Sequence, residues 1–170
     1  MRKIVFLDVD GVLNNSTLFQ RSNENPTVNI LPEMQGYLGI DRDLLETFRL
    51  IVDQHPEVEI VLSSTWKYRY TDMVELAFAR AAIPFNLIAS TPSTFSGHRG
   101  REIQMWIEQN LFLPARLVAI DDDPDATYVQ TEPQHKYFHA QTSWHEGLTP
   151  KIVEQVNTFL EYGNFIGVKS

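Results

Sequence analysis

A chain of 170 residues lies within the size of one compact domain, roughly 100–200 residues, and with 43% hydrophobic residues it can bury a sizeable core. Its net charge of -8, from 14 basic and 22 acidic residues, gives no overall field that would draw it onto nucleic acid or an anionic membrane, so any polyanion must be held locally. The absence of cysteine excludes disulfides and thiolate metal sites, and the apolar run within MRKIVFLDVD is too short for a signal-peptide core and ends in acids. The expectation is a single domain over 1–170, with cytoplasm as the default compartment and no export or membrane-spanning segment.

Taken in chain order, short apolar runs alternate with amphipathic segments. IVFL at 4–7 is short and branched, as a buried parallel strand is, and it runs straight into Asp8-Val9-Asp10-Gly11-Val12-Leu13. The stretch 14–39 is rich in Asn, Pro and Gly, has no clear period and exceeds an ordinary connection, so it is expected to fold over something as a small lid or flap. Leu44, Leu45, Phe48, Ile51 and Val52 then form one apolar stripe at helical period, with Asp41 as N-cap just upstream. EIVL at 59–62 and FNLI at 85–88 read as the second and third strands. Ile103, Trp106, Ile107 and Leu111 mark another helix, and LVAI at 117–120 a fourth strand. Thr149-Pro150, a capping residue before a proline at the first helical position, opens a last helix carrying Ile152, Val153, Val156, Phe159 and Leu160 on one face. The residues after Tyr162 read as a loose tail or an edge strand. Such alternation predicts an α/β fold, a doubly wound parallel sheet flanked by helices, with ligands at the carboxyl ends of the strands.

Two carboxylates arrive at such a strand end. Residues two apart on a strand face the same side, so Asp8 and Asp10 can approach one ligand, and Gly11 permits a sharp exit. Carboxylates this close repel each other. A divalent cation relieves that repulsion, and oxygen ligands suit magnesium better than zinc. An acidic turn closing a strand is the plainer alternative.

The run Phe6-Leu7-Asp8-Val9-Asp10-Gly11-Val12-Leu13 resembles the signature of the haloacid dehalogenase-like (HAD) superfamily, and the remaining motifs follow in order. Ile60-Val61-Leu62-Ser63-Ser64 resembles the second, Arg99-Gly100-Arg101-Glu102-Ile103 the basic third, and Leu117-Val118-Ala119-Ile120-Asp121-Asp122-Asp123-Pro124-Asp125 the acidic fourth. The resemblance spans about 3–125 by motif and implies a Rossmann-like domain with a minimal cap. It also implies phosphomonoester hydrolysis with Mg2+ and an aspartyl-phosphate intermediate. In those terms Asp8 is the nucleophile, and Asp10 is the general acid and then base, its backbone carbonyl reaching the metal. Ser63, with Ser64 beside it, holds phosphoryl oxygens. Arg99, favoured over Arg101 as the residue just before the helix, stabilises the phosphoryl charge. Asp122 is the direct metal ligand of the fourth motif, Asp121 its support, and Asp125 a lesser candidate, so the metal set is Asp8, Asp10, Asp121 and Asp122. Asp10 is the acid that phosphatase members carry and dehalogenases generally lack.

Within the superfamily, Leu62-Ser63-Ser64-Thr65-Trp66-Lys67, the Arg99 to Trp106 pattern and Gly147-Leu148-Thr149 look like the group named for Swiss Army Knife RNA repair proteins. That resemblance makes a nucleic-acid 3′-phosphate end a candidate substrate, reached through an open site. A free mononucleotide, as in a 5′-nucleotidase, is the alternative substrate, and a non-catalytic phosphate-binding module is the alternative role. Trp66, Lys67, Tyr68, Arg69 and Tyr70 have the composition to stack a base and pair a backbone phosphate, or else pack against the core. His135, His139 and His145 lack a matching acid motif and read as structural or solvated rather than metal-binding. His98, next to Arg99, is given no role.

Overall fold

The computed structural model describes residues 1–34, 38–94 and 96–164. Five parallel strands, β1 (Arg2–Leu7), β2 (Glu59–Leu62), β3 (Leu87–Ser90), β4 (Ala115–Asp121) and β5 (Lys136–Gln141), pair in the order β3-β2-β1-β4-β5. Five α-helices accompany them: α1 (Leu18–Glu24), α2 (Arg42–Gln54), α3 (Thr71–Arg80), α4 (Arg99–Asn110) and α5 (Pro150–Tyr162). The chain leaves the central strand β1 toward one edge and returns at β4 toward the other, which places the crevice of a doubly wound sheet beside the end of β1.

Alternation along the strands divides the core between the two faces of the sheet. Val5, Leu7, Ile60, Leu62, Val118 and Ile120 pack with Leu45 and Phe48 of α2, Phe78 of α3, and Val156 and Phe159 of α5. Ile4, Phe6, Val61, Leu117 and Ala119 point the other way, onto Ile103, Trp106 and Ile107 of α4. Aromatic edges meet on both faces, Phe48 against Phe78 at 5.5 Å and Phe6 against Trp106 at 5.4 Å. Each fully buried large side chain contributes about 1.5–3 kcal/mol of burial. The helix starts follow their caps: Asp41 accepts from the Asp43 N–H at 2.9 Å, and Thr149 accepts from the Ile152 N–H at 3.4 Å ahead of Pro150.

The third strand begins two residues later than its sequence suggests. Phe85 stacks on Phe78 at 4.0 Å, so the chain is drawn to the helix layer before it pairs with β2 as an edge strand of alternating exposure. Three elements, α1 within the stretch 14–39, α3 and the polar edge strand β5, have no counterpart in the sequence reading. The stretch 14–39 is rooted in the main core: Ile30 and Leu31 are buried there, Asn29 accepts from the Leu31 and Ile40 N–H groups, and Arg80 donates to the Ile30 carbonyl. Residues 35–37 of the expected flap, and residues 165–170 of the expected tail, lie outside the described residues. Among the described residues no helix is long and apolar enough to cross a membrane.

Strand pairing sets the stage for the chemistry. The Asp8 N–H donates to the Ile120 carbonyl at 3.1 Å, the Ser63 N–H to the Leu7 carbonyl at 2.9 Å, and the Thr142 N–H to the Asp121 carbonyl at 3.1 Å. Asp8, Ser63 and Asp121 therefore close three adjacent strands at one level. Phe48, fully buried between α3 and the sheet, is central to the layer that holds that level. Phe48→Ala is expected to cost about 3–5 kcal/mol in denaturant unfolding with an unchanged m-value. A loss below about 1 kcal/mol would show that the site does not depend on this layer.

Candidate active site

The backbone after Asp8 folds into a tight turn in which the Val9 carbonyl accepts from the N–H groups of Val12, Leu13 and Asn14 at 3.1, 2.8 and 3.2 Å. Two distant segments hold it: the Leu148 N–H donates to the Val12 carbonyl, and the Asp41 N–H to the Leu13 carbonyl. Gly11 sits at φ +72°, and a Cβ there would lie 2.4 Å from Asp122 Oδ2, so glycine is required both by the backbone and by the neighbouring acid.

Asp8, Asp121 and Asp122 each offer a carboxylate oxygen, and these oxygens all lie within 4.8 Å of one another. Asp8 and Asp121 are buried and Asp122 is half-buried. Burial, reinforced by repulsion from Asp8, pushes the Asp121 carboxyl well above the usual carboxylate range. Burial raises Asp8 as well, against the opposing pull of Arg99 and a hydrogen bond from Ser64. Asp122 is raised by burial too, with Asp123 and Asp10 adding repulsion.

Arg99 answers this charge. It is the first residue of α4 and is buried, with Nη2 3.4 Å from Asp8 Oδ1 and Nε 2.8 Å from Asp121 Oδ2. The second contact is close as charges but off the line that a hydrogen bond needs. Glu102, one turn along, lies 3.9 Å from Arg99, but its carboxylate is engaged at 2.6 Å by Lys67, whose side chain is only 4% exposed. Lys67 thereby leaves Arg99 to the aspartates. Arg101, the other arginine of the motif, is exposed.

Of the two serines, Ser64 favours the ionised form of Asp8, whereas the Ser63 hydroxyl is buried and has no hydrogen-bond partner among the described residues. Asp125 does not join the acidic cluster: it accepts from the Gly100 N–H at 3.0 Å and so caps α4, which lacks a side-chain cap at His98. Asp123 in turn accepts from the Asp125 N–H, and Asp121 from the Asp123 N–H.

Asp10 is held at both oxygens, by the Asn14 amide at 2.8 Å and by the Trp66 indole N–H at 3.0 Å. Sequence reasoning missed Asn14 altogether and noticed Trp66 only for its aromatic ring. The basic-aromatic run is largely internal, since Trp66 is buried, Lys67 is paired with Glu102, and Tyr68 and Arg69 remain exposed. The histidines do not gather. His139 lies 3.1 Å from the Asp121 carbonyl, which can only accept, so Nε2 carries the hydrogen and Nδ1 accepts from the Thr127 hydroxyl at 2.7 Å. His145 is exposed beside Ser16, and His135 is buried.

The donor set fits a hard divalent cation. Three carboxylates with oxygens within 4.8 Å of one another, and no nitrogen or sulfur among them, suit magnesium, and a cation would offset both the burial and the mutual repulsion that raise their proton affinity.

A parallel sheet in the order β3-β2-β1-β4-β5, with paired acids at the end of its central strand, defines a HAD-like domain. The chain belongs to the family described as the HAD domain in Swiss Army Knife RNA repair proteins, whose model matches residues 4–153. The fold is shared with two structures of the HAD domain of effector protein Lem4 from Legionella pneumophila. One is an inactive mutant, 14% identical at a TM-score of 0.55, covering 95% of this chain and 94% of that one. The other is 16% identical at a TM-score of 0.55, covering 99% and 98%. No curated protein matches the chain in sequence.

Magnesium binding requires that protons leave carboxyls whose affinity for protons is raised, so protons compete with the metal as pH falls. The thermal upshift given by millimolar Mg2+ is therefore expected to be larger at pH 8 than at pH 6, and an equal shift at both would contradict the acidic cluster as its site. Gly11→Ala, which drives a methyl into Asp122, should shrink that upshift at pH 8 with Asp8 left intact.

Proposed function

We propose that this chain hydrolyses phosphomonoesters in a magnesium-dependent reaction through an aspartyl-phosphate on Asp8. The observation that carries the reading is the Asp8 carboxylate at the end of the central strand, clustered with Asp121 and Asp122 and with Arg99 against both Asp8 and Asp121. Asp8, Asp121, Asp122 and the Asp10 backbone carbonyl would hold the magnesium. When bound, the ion supplies positive charge that lets an anionic phosphate approach Asp8.

In the first half-reaction an Asp8 oxygen forms a bond to phosphorus. The bond to the leaving oxygen breaks, its electron pair stays on that oxygen, and Asp10 gives it a proton. In the second half-reaction water attacks phosphorus and gives its proton to Asp10. The bond from phosphorus to Asp8 then breaks, returning the carboxylate and releasing inorganic phosphate. Arg99 stabilises the charge spread over the phosphoryl oxygens, and the start of α4 adds its dipole in the same sense. Ser64 keeps Asp8 ionised and oriented, and Ser63 stands beside it.

The substrate class we favour is a phosphorylated nucleic-acid end, as the family's RNA repair context suggests, with cytoplasm as its setting. The stretch 14–39 then acts as a small flap beside an otherwise open site. A free mononucleotide is the second reading, favoured by the burial of Trp66 and the engagement of Lys67, which leave little of a stacking platform.

Release of inorganic phosphate from p-nitrophenyl phosphate, mononucleotides and 3′-phosphorylated oligonucleotides, with and without Mg2+, tests the reading. Asp8→Asn is expected to lower kcat by roughly 10³-fold or more. Equal turnover by Asp8→Asn would overturn the nucleophile assignment. Failure of folded, magnesium-loaded wild type on the whole panel would favour a phosphate-binding module that does no chemistry.

A further inference from the structure

Asp10 is the half-buried acid of the turn, and both of its carboxylate oxygens are already in use. Oδ1 accepts from the Asn14 side-chain amide at 2.8 Å and Oδ2 from the Trp66 indole N–H at 3.0 Å. A carboxylate has about four lone-pair sites. Two neutral donors on opposite oxygens therefore stop rotation of the carboxylate plane while leaving one lone pair on each oxygen free.

Both donors are themselves anchored. Asn14 is buried, accepts from the Gly11 N–H at 3.1 Å and donates to the Gly39 carbonyl at 3.1 Å, so its amide orientation is set by the turn and by the far end of the 14–39 stretch. Trp66 is buried, packs edge-on against Tyr70 at 5.5 Å, and its backbone N–H donates to the Ser64 hydroxyl at 3.3 Å. The serine that favours ionised Asp8 and the indole that bonds Asp10 thus belong to one short segment at the end of β2.

We propose that Trp66, together with Asn14, is a positioning residue for the Asp10 carboxyl, fixing its plane so that a proton carried at one of the two open positions is aimed at the leaving oxygen. The proposal rests on the phosphatase reading above and extends it to a substrate class. A rigidly aimed acid matters most where the leaving group cannot depart as a stable anion, so the matching substrates are phosphate esters of aliphatic alcohols, such as sugar hydroxyls, rather than of phenols. A buried indole also needs an acceptor for its N–H simply to be satisfied. Leaving-group dependence separates that purely structural role from positioning.

The experiment compares wild type and Trp66→Phe, with magnesium, on an alkyl phosphate and on p-nitrophenyl phosphate. The variant removes the N–H and keeps a ring in the core. Positioning predicts that kcat on the alkyl ester falls by about tenfold or more while kcat on the aryl ester falls by less than about threefold, with KM little changed for either. An equal loss on both esters, or no loss on either, overturns the proposal. Should Trp66→Phe fail to fold, the indole and amide N–H resonances of the full chain are compared between wild type and Asp10→Asn. Asparagine offers one oxygen where the two donors need two, so at least one of those two resonances must move markedly, and if neither does the clamp is absent. Wild type inactive on both esters would sink the phosphatase reading and the catalytic role with it, while those resonances would still report whether the clamp exists.

Discussion

Carboxylates brought together out of water repel one another, and the end of this sheet brings together three. Because β1 and β4 pair in register from Arg2 opposite Ala115 to Leu7 opposite Ile120, the next residues, Asp8 and Asp121, emerge side by side. Asp122 closes the group within 4.8 Å. The surroundings are organised around that repulsion. Arg99 enters from the start of α4 against both buried acids, Lys67 keeps Glu102 from competing for it, and burial with mutual repulsion raises the proton affinity of the clustered carboxyls. Gly11 is glycine because Asp122 occupies the space its side chain would need.

The same constraint explains the loops. The acidic turn after β4 satisfies itself stepwise: Asp121 accepts from the Asp123 N–H, Asp123 from the Asp125 N–H, and Asp125 from the Gly100 N–H at the head of α4. Consecutive aspartates thus have different work, the first two joining Asp8 in the carboxylate cluster and the last fastening the helix that carries Arg99. The acidic cluster and its counter-charge are tied together by three short hydrogen-bonded steps, so a change at Asp125 would be felt at Arg99 through the Gly100 N–H.

Much of this is legible in the amino-acid sequence alone, and the limits have physical causes. β1, β2 and β4 announce themselves because both faces of each are buried, which forces continuous apolar runs. β5 and β3 are edge strands with solvent on part of their surface, so β5 reads as polar and β3 is mistaken for the Phe85 segment that packs on Phe78. Asp8, Asp10, Asp121, Asp122 and Arg99 lie at strand and helix ends, where motif spacing maps directly onto space. The donors to Asp10 were hidden for the opposite reason. Asn14 belongs to a stretch without period, and Trp66 reaches Asp10 across 56 positions of sequence, a contact that only the pairing of β1 with β2 creates. The aromatic-basic run after β2 was ambiguous because composition does not say which way a short 3₁₀ turn faces; here Trp66 turns inward and Tyr68 outward.

Covalent transfer of the phosphoryl group to Asp8, as proposed, is open to test by trapping that group in place. Borohydride added during turnover reduces an aspartyl phosphate to homoserine, whose position peptide mass spectrometry assigns. Homoserine is expected at position 8, dependent on both substrate and magnesium. Turnover without trapping, or trapping at Asp121 or Asp122 instead, would contradict it.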